Sequence, residues 1–254
     1  MFKVVQKRFL NDAKTICLFE IEAPLVARHA QAGQFVIFRL DEQGERTPVS
    51  VAGYDREKGT VTVMVQAAGR TTRMLHTVEQ GDYITDFVGP LGKATEMEGL
   101  KKVCVVGGGV GCAIAYPIAK EMHEKGIDVT FIAGFRSKDI VILEDEMKAA
   151  SNKSIICTDD GSYGIHGFVS DVLKQHLDEF TSVCACGPKP MLHALADIAE
   201  AKGIPCQVSM EERMGCGIGA CLVCVCSLKN KDGSTRYGHV CKDGPVFDSK
   251  EVQW

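Results

Sequence analysis

The chain has no apolar run near the roughly 20 residues that a bilayer-spanning helix needs. Its opening residues, Met1-Phe2-Lys3-Val4-Val5-Gln6-Lys7-Arg8, lack the apolar core of a secretory signal. A surplus of charge is missing too. The 29 Lys and Arg against 33 Asp and Glu leave a net charge of −4, which makes no electrostatic case for nucleic acid or an anionic membrane as partner. There is no internal repeat, no low-complexity tract, and a single tryptophan, Trp254. A hydrophobic fraction of 45% and a charged fraction of 24% are those of an ordinary globular protein. A length of 254 residues suits two domains with a small appendage. What is not scarce is cysteine, with twelve. Disulfide scaffolds are short and secreted, so these thiols are expected to be reduced and the protein cytoplasmic.

Four of the cysteines have a telling order. Cys216, Cys221 and Cys224 make C-x₄-C-x₂-C, and Cys241 follows after sixteen intervening residues, the plant-type spacing of a [2Fe–2S] cluster. Gly217, Ile218, Gly219 and Ala220 keep the first interval small, so that backbone N–H groups can reach the sulfurs. Zinc is the competing occupant, because Cys₄ also suits a tetrahedral ion, usually with C-x₂₋₄-C pairs. An iron–sulfur centre does no hydride chemistry alone, so the rest of the chain is expected to supply a two-electron carrier.

Residues 1–96 are predicted to form a small antiparallel barrel. Segments such as Thr15–Ile21, Gln34–Leu40 and Thr60–Val65 are short, rich in β-branched residues and in several cases alternating. A helix is expected from about Thr71, and Gly89-Pro90-Leu91-Gly92 should close the barrel. Residues 97–208 switch to strand–helix alternation. Strands at Val103–Val106, Asp128–Ala133, Ser154–Cys157 and Ser182–Ala185 alternate with helices over about 112–125, after Leu143, near 167–176 and over 189–202, implying a doubly wound parallel sheet. Residues 209–254 form the cysteine-bearing segment.

Within these units several motifs point to nucleotides. Gly107, Gly108, Gly109, Val110 and Gly111 follow a strand and open a helix, where a pyrophosphate can sit on N–H groups. No acidic residue about 20 positions on completes the dinucleotide fingerprint. Cys186, Gly187 and Pro188 follow another strand, with Met191 in the next helix. Cys186 is placed to lie over a nicotinamide ring or, on the plainer reading, to be a buried residue before a turn. Asp159, Asp160 and Gly161 end a third strand, as ribose acceptors or a solvated turn. In the barrel, Arg46, Pro48, Val49 and Ser50 suit an isoalloxazine edge. Gly69, Arg70, Thr71 and Thr72 suit a pyrophosphate through N–H groups, hydroxyls and a guanidinium.

Together, the R-x-P-x-S and G-R-T-T motifs, GGGVG, TDDGSYG, CGP and CGIGAC-x₂-C resemble the ferredoxin reductase superfamily over essentially the whole chain. Within it the chain is most similar to electron-transfer subunits of NAD-dependent dihydroorotate dehydrogenase. The small subunits of NADH-dependent ferredoxin:NADP⁺ oxidoreductase and of sulfide dehydrogenase are almost as similar. The dihydroorotate family commonly has Arg directly before the Pro; here Thr47 holds that place and Arg46 stands one residue earlier. Ala113-Ile114 replaces the Ala-Pro often found after the glycine turn.

The resemblance implies FAD in the barrel, NAD(H) as exchangeable cosubstrate on the α/β unit, and a [2Fe–2S] cluster on Cys216, Cys221, Cys224 and Cys241. It also implies a hetero-oligomer in which an FMN-bearing dihydroorotate dehydrogenase subunit takes part in pyrimidine synthesis. A redox sensor without flavin and a self-sufficient reductase are the rival readings. Cys226 is expected to be a reduced bystander. Trp254 either anchors an interface or packs on its own domain.

Overall fold

Alternation of apolar and polar residues over a short segment buries one face of a strand and wets the other. In the computed structural model, which describes residues 1–254, seven N-terminal segments become strands. They are β1 (Phe2–Phe9), β2 (Ile16–Glu22), β3 (Phe35–Arg39), β4 (Thr47–Asp55), β5 (Thr60–Gln66), β6 (Tyr83–Ile84) and β7 (Asp86–Leu91). All pair antiparallel, in the order β6-β1-β2-β5-β4-β3-β7. The edge strands β6 and β7 are separated in the chain by Thr85 alone, so the sheet curls into a nearly closed barrel. Phe19, Phe38, Val63 and Phe87 fill it. The short helices α1 (Pro24–His29) and α2 (Arg70–Leu75) cap it, burying Val26, Ala27 and Leu75. Gly89-Pro90-Leu91-Gly92, expected to close the barrel, spans the end of its last strand, with Gly89 to Leu91 still within β7. Proline has no N–H for a ladder and is tolerated on an edge strand; the β3–β7 register slips between Phe35 and Ile37 to accommodate it.

Continuous apolar runs such as Val103-Cys104-Val105-Val106 mark strands buried on both faces. They form β8 (Lys102–Gly108), β9 (Asp128–Phe135), β10 (Lys153–Thr158), β11 (Ile165–His166), β12 (Ser182–Cys186) and β13 (Cys206–Ser209), all parallel. The spatial order is β11-β10-β9-β8-β12-β13. The chain thus winds outward from β8 in one direction, then returns to continue from β8 in the other. Ligands bind outside the carboxyl ends of strands at such a reversal. Helices α3 (Cys112–Glu124) and α4 (Glu144–Ala149) pack in one core, α5 (Val169–His176) and α6 (Lys189–Ala201) in another on the opposite face. Small residues, Ala113, Ala115 and Ala119, let α3 lie close to its sheet.

The cysteine segment adds a hairpin of β14 (Val225–Lys229) and β15 (Thr235–His239), the single turn α7 (Val240–Asp243), and β16 (Val246–Asp248). β16 pairs antiparallel with β13, so the sheet expected to be wholly parallel carries one antiparallel edge strand. The physical gain is clear, since β13 would otherwise present unpaired N–H and C=O groups. Cys224, Leu228, Val240, Cys241 and Phe247 share a core with Val183, Leu192 and Val208. The Trp254 ring stacks on His193 of α6 at 5.0 Å. No helix is long and apolar enough to cross a membrane.

Candidate cofactor sites and the cluster loop

Gly107 and Gly108 end β8, Gly109–Gly111 turn, and α3 starts at Cys112. Cys186 pairs with Gly107 across the β8–β12 ladder, which lays Cys186-Gly187-Pro188 beside the turn. The approach is close: a Cβ on Gly111 would lie 2.8 Å from the Gly187 Cα and nearer still to the Cys186 carbonyl oxygen. A Cβ on Gly108 would meet the Met191 thioether. Gly107–Gly111, Gly187, Pro188 and Met191 therefore wall one crevice at the reversal of strand order. The first N–H groups of α3 have no intrahelical acceptor and lie at the positive end of its dipole, which suits a pyrophosphate. Cys186 itself is fully buried beneath this crevice, in one core with Cys184.

Asp159, Asp160 and Gly161 follow β10, two strands away from β8 on the same carboxyl edge. Asp160 Oδ1 accepts the Ser162 hydroxyl at 2.6 Å and the Ser162 N–H at 2.9 Å. Those bonds, the hydroxyl's first, hold it below the ordinary carboxylate range. Asp160 thus serves its own turn, and exposed Asp159 is the carboxylate left facing outward.

In the barrel, Arg46 is exposed immediately before β4, while Pro48, Val49 and Ser50 are half-buried and pair with Ile37, Val36 and Phe35 of β3. Gly69–Thr72 open α2 after β5. The Thr71 hydroxyl donates to Glu45 at 2.7 Å, drawing the two barrel motifs together. The Thr72 hydroxyl accepts the Ala68 and Gly69 N–H groups at 3.0 and 2.9 Å. Both hydroxyls are spent locally. What the turn offers an anion is the free N–H groups of the α2 start and the exposed guanidiniums of Arg46 and Arg70.

The cysteine loop is built around sulfur acceptors. Cys216 Sγ receives N–H groups from Ile218, Ala220 and Cys221 at 3.5, 3.2 and 3.4 Å. Cys241 Sγ receives the Gly219 N–H at 3.2 Å. The Ile218 bond foremost, with those from Cys221 and Ala220, lowers the Cys216 thiol to about 6, so it is a thiolate at neutral pH. Burial pushes the Cys241 thiol up; metal would have to displace its proton. The C-x₄-C-x₂-C spacing with a distant fourth Cys, and the N–H groups turned onto Cys216 and Cys241, suit a [2Fe–2S] cluster better than zinc. Cys226 stands apart on β14, half-buried, its thiol raised chiefly by burial.

One contact had no sequence signal. Gly217, at φ +75°, turns the loop so tightly onto the barrel that a Cβ there would strike the Ile37 side chain and lie 3.3 Å from Leu91. Ile37 is the β3 partner of Pro48. The cluster loop is thus seated one strand from the barrel's Pro48–Ser50 motif. The same loop exposes apolar side chains: Ile218, Leu222 and Val223 are 62%, 81% and 55% exposed.

Barrel, nucleotide crevice and cysteine loop together define a class, the NAD(H)-linked iron–sulfur flavoprotein oxidoreductases of ferredoxin reductase-like fold, whose cofactors are FAD, NAD(H) and a [2Fe–2S] cluster. Residues 211–253 match the iron–sulfur cluster binding domain of dihydroorotate dehydrogenase B, and residues 105–197 match the oxidoreductase NAD-binding domain. The chain is 39% identical to the dihydroorotate dehydrogenase B (NAD⁺) electron transfer subunit homolog of Thermotoga maritima, over 99% of this chain and 87% of that one. It is 39% identical to the dihydroorotate dehydrogenase B (NAD⁺) electron transfer subunit of Geobacillus thermodenitrificans, over 91% and 90%. Among solved structures, one described as an NADH-dependent reduced ferredoxin-NADP oxidoreductase, bearing on flavin-based electron bifurcation, superposes with a TM-score of 0.91 at 37% identity, over 100% of this chain and 90% of the other. The chain belongs to the family of dihydroorotate dehydrogenase B electron-transfer subunits and their homologues.

Proposed function

We propose that this chain carries electrons between NAD(H) and a separate catalytic subunit, and that the partner is an FMN-bearing dihydroorotate dehydrogenase subunit serving pyrimidine synthesis. The observation that carries the reading is the seat of the cluster loop, Gly217 against Ile37, in a loop that also exposes the apolar Ile218, Leu222 and Val223. An electron outlet needs both contacts, one toward the flavin and one toward the next protein.

In this reading the units are residues 1–96, 97–208 and 209–254. Gly107–Gly111, Cys186–Pro188, Met191 and Asp159–Gly161 hold the nucleotide; Arg46, Pro48–Ser50 and Gly69–Thr72 hold FAD; Cys216, Cys221, Cys224 and Cys241 hold the cluster. Bound FAD and the cluster supply the conversion of a two-electron hydride into single electrons. The chain's own part is to orient the groups, keep water from the crevice and present N–H donors to the sulfurs. Cys186, beneath the crevice, supports the wall on which the nicotinamide lies.

A second reading is favoured by the 0.91 superposition over the whole chain: the small subunit of an NADH-dependent ferredoxin:NADP⁺ oxidoreductase. Reconstitution separates the two. Alone, the chain should oxidise NADH with artificial acceptors and leave dihydroorotate untouched; with the dehydrogenase subunit added, dihydroorotate oxidation should reduce NAD⁺. Dihydroorotate oxidation by the chain alone would overturn the subunit role. A pair active only with NADPH and ferredoxin would move the chain to the second reading.

A further inference from the structure

β4 and α3 lie side by side across the junction of the barrel and the α/β unit, with Ala52 and Met64 of the barrel in the same core as Ala113, Ala115 and Ile118. Each element carries a candidate cofactor motif at its start, Pro48–Ser50 on β4 and Gly107–Gly111 before α3. Their far ends are tied to one another. Glu121 Oε2 accepts the Tyr54 hydroxyl at 3.1 Å and the Ala32 N–H at 3.0 Å, while Oε1 accepts Lys125 Nζ at 2.8 Å. The Glu121 side chain is only 17% exposed. Arg56 backs the latch, its guanidinium 4.5 Å from the centre of the Tyr54 ring and donating to the Ala30 carbonyl at 3.0 Å. Burial works against the Glu121 charge, but its three donors outweigh it and hold the carboxyl below its ordinary value. The latch is therefore ionic at neutral pH.

We propose that Glu121 is a positioning residue for hydride exchange, latching α3 to β4 and so setting the separation between the nucleotide crevice and the flavin motif. This role rests on the assignment of those two motifs given above. α3 has thirteen residues, about 20 Å at about 1.5 Å per residue. A tilt of about 3° at one end displaces the other by about 1 Å, and a misplacement of about 1 Å costs on the order of 100-fold in rate. Neither Glu121 nor Tyr54 touches the crevice, so nucleotide binding itself should hardly change.

The test uses the FAD-loaded chain and two readouts. Anaerobic stopped flow gives the limiting rate of flavin bleaching and the half-saturating NADH concentration separately; hydrogen exchange at the Ala32 amide reports the latch. Glu121→Ala should lower the limiting rate about 10- to 100-fold, leave half-saturation within about threefold, and speed Ala32 exchange at least about tenfold, since the amide loses its acceptor. Glu121→Gln keeps an acceptor oxygen and should recover most of the rate. Tyr54→Phe should fall between, and adding it to Glu121→Ala should change nothing further, because both break one unit. If Glu121→Ala does not fold, Tyr54→Phe carries the test through the limiting rate, which should fall while half-saturation stays near that of the parent. A parental limiting rate despite fast Ala32 exchange overturns the proposal, as does a loss that lies wholly in half-saturation. A parent chain whose flavin NADH does not bleach overturns the site assignment instead, and this role with it.

Discussion

Cys224→Ser should cut iron and sulfide from about two each per chain to less than half of that, and should stop delivery of electrons to a protein partner. Bleaching of the flavin by NADH should survive. Cys224 is 1% exposed and stands, with Cys241, in the core shared by the cluster segment and the α/β sheet. A serine there offers a hard, protonated oxygen where a soft thiolate is needed, in a place where no water can compensate. Part of the fold's stability is expected to go with the metal, because ligand binding to the native state is folding free energy. Cys226→Ser is the control. Cys226 lies on β14 outside the C-x₄-C-x₂-C and Cys241 set, so metal content and the visible spectrum should be those of the parent. Full iron in Cys224→Ser together with loss of iron in Cys226→Ser would mean that the fourth ligand has been misassigned.

Gly111→Ala should weaken NADH binding about 10- to 100-fold, the size expected when charge-assisted hydrogen bonds of about 1.5–3 kcal/mol are lost. Two effects compete here. Gly111 has φ −59° and ψ −20°, a helical conformation open to any residue, and Ala is preferred over Gly in a helix by up to about 1 kcal/mol. Local propensity alone therefore predicts a more stable protein. The added Cβ, however, would lie 2.8 Å from the Gly187 Cα and closer to the Cys186 carbonyl oxygen. Both are backbone, which cannot rotate away, and overpacking of this kind costs about 1–3 kcal/mol. The start of α3 and the end of β12 must part, opening the crevice where the pyrophosphate would sit. Fluorescence titration with NADH and a melting curve check both signs. Parental affinity with a raised melting point would show that the crevice has slack there.

The parts legible in the sequence were those with short-range grammar. The intervals among Cys216, Cys221 and Cys224, the glycine turn after β8, and the change from alternating to continuous apolar strands at Lys102 are each written within a few residues. The helices expected over 112–125 and 189–202 end within a residue of Glu124 and Ala201. What escaped was set at long range. Glu121 lies 89 residues from Ala32 and 67 from Tyr54. Gly217 shows no trace of Ile37 in its neighbourhood. β16, three residues long, is too short for a period of two to declare itself. The Thr71 and Thr72 hydroxyls looked available for a phosphate because nothing local reveals that Glu45 and the Ala68–Gly69 amides take them. The burial of Cys186, by contrast, follows from its strand: β12 is buried on both faces, with Val183 and Ala185 in one core and Cys184 and Cys186 in the other.

The antiparallel pairing of β16 with β13 should couple metal loading to the integrity of the nucleotide-binding half. β13 lies two strands from β8, and Cys224 and Cys241 are packed in the same core as Val183 and Leu192 beneath α6. A copy stripped of its iron loses free energy at that sheet edge and opens there more often. Limited proteolysis of loaded and chelator-stripped protein should show the difference as earlier cutting between 206 and 248; identical patterns would mean that the edge is held without the metal. Because proteases act on opened chains in proportion to how often they open, copies that could accept a hydride but pass its electrons nowhere should be the ones removed first.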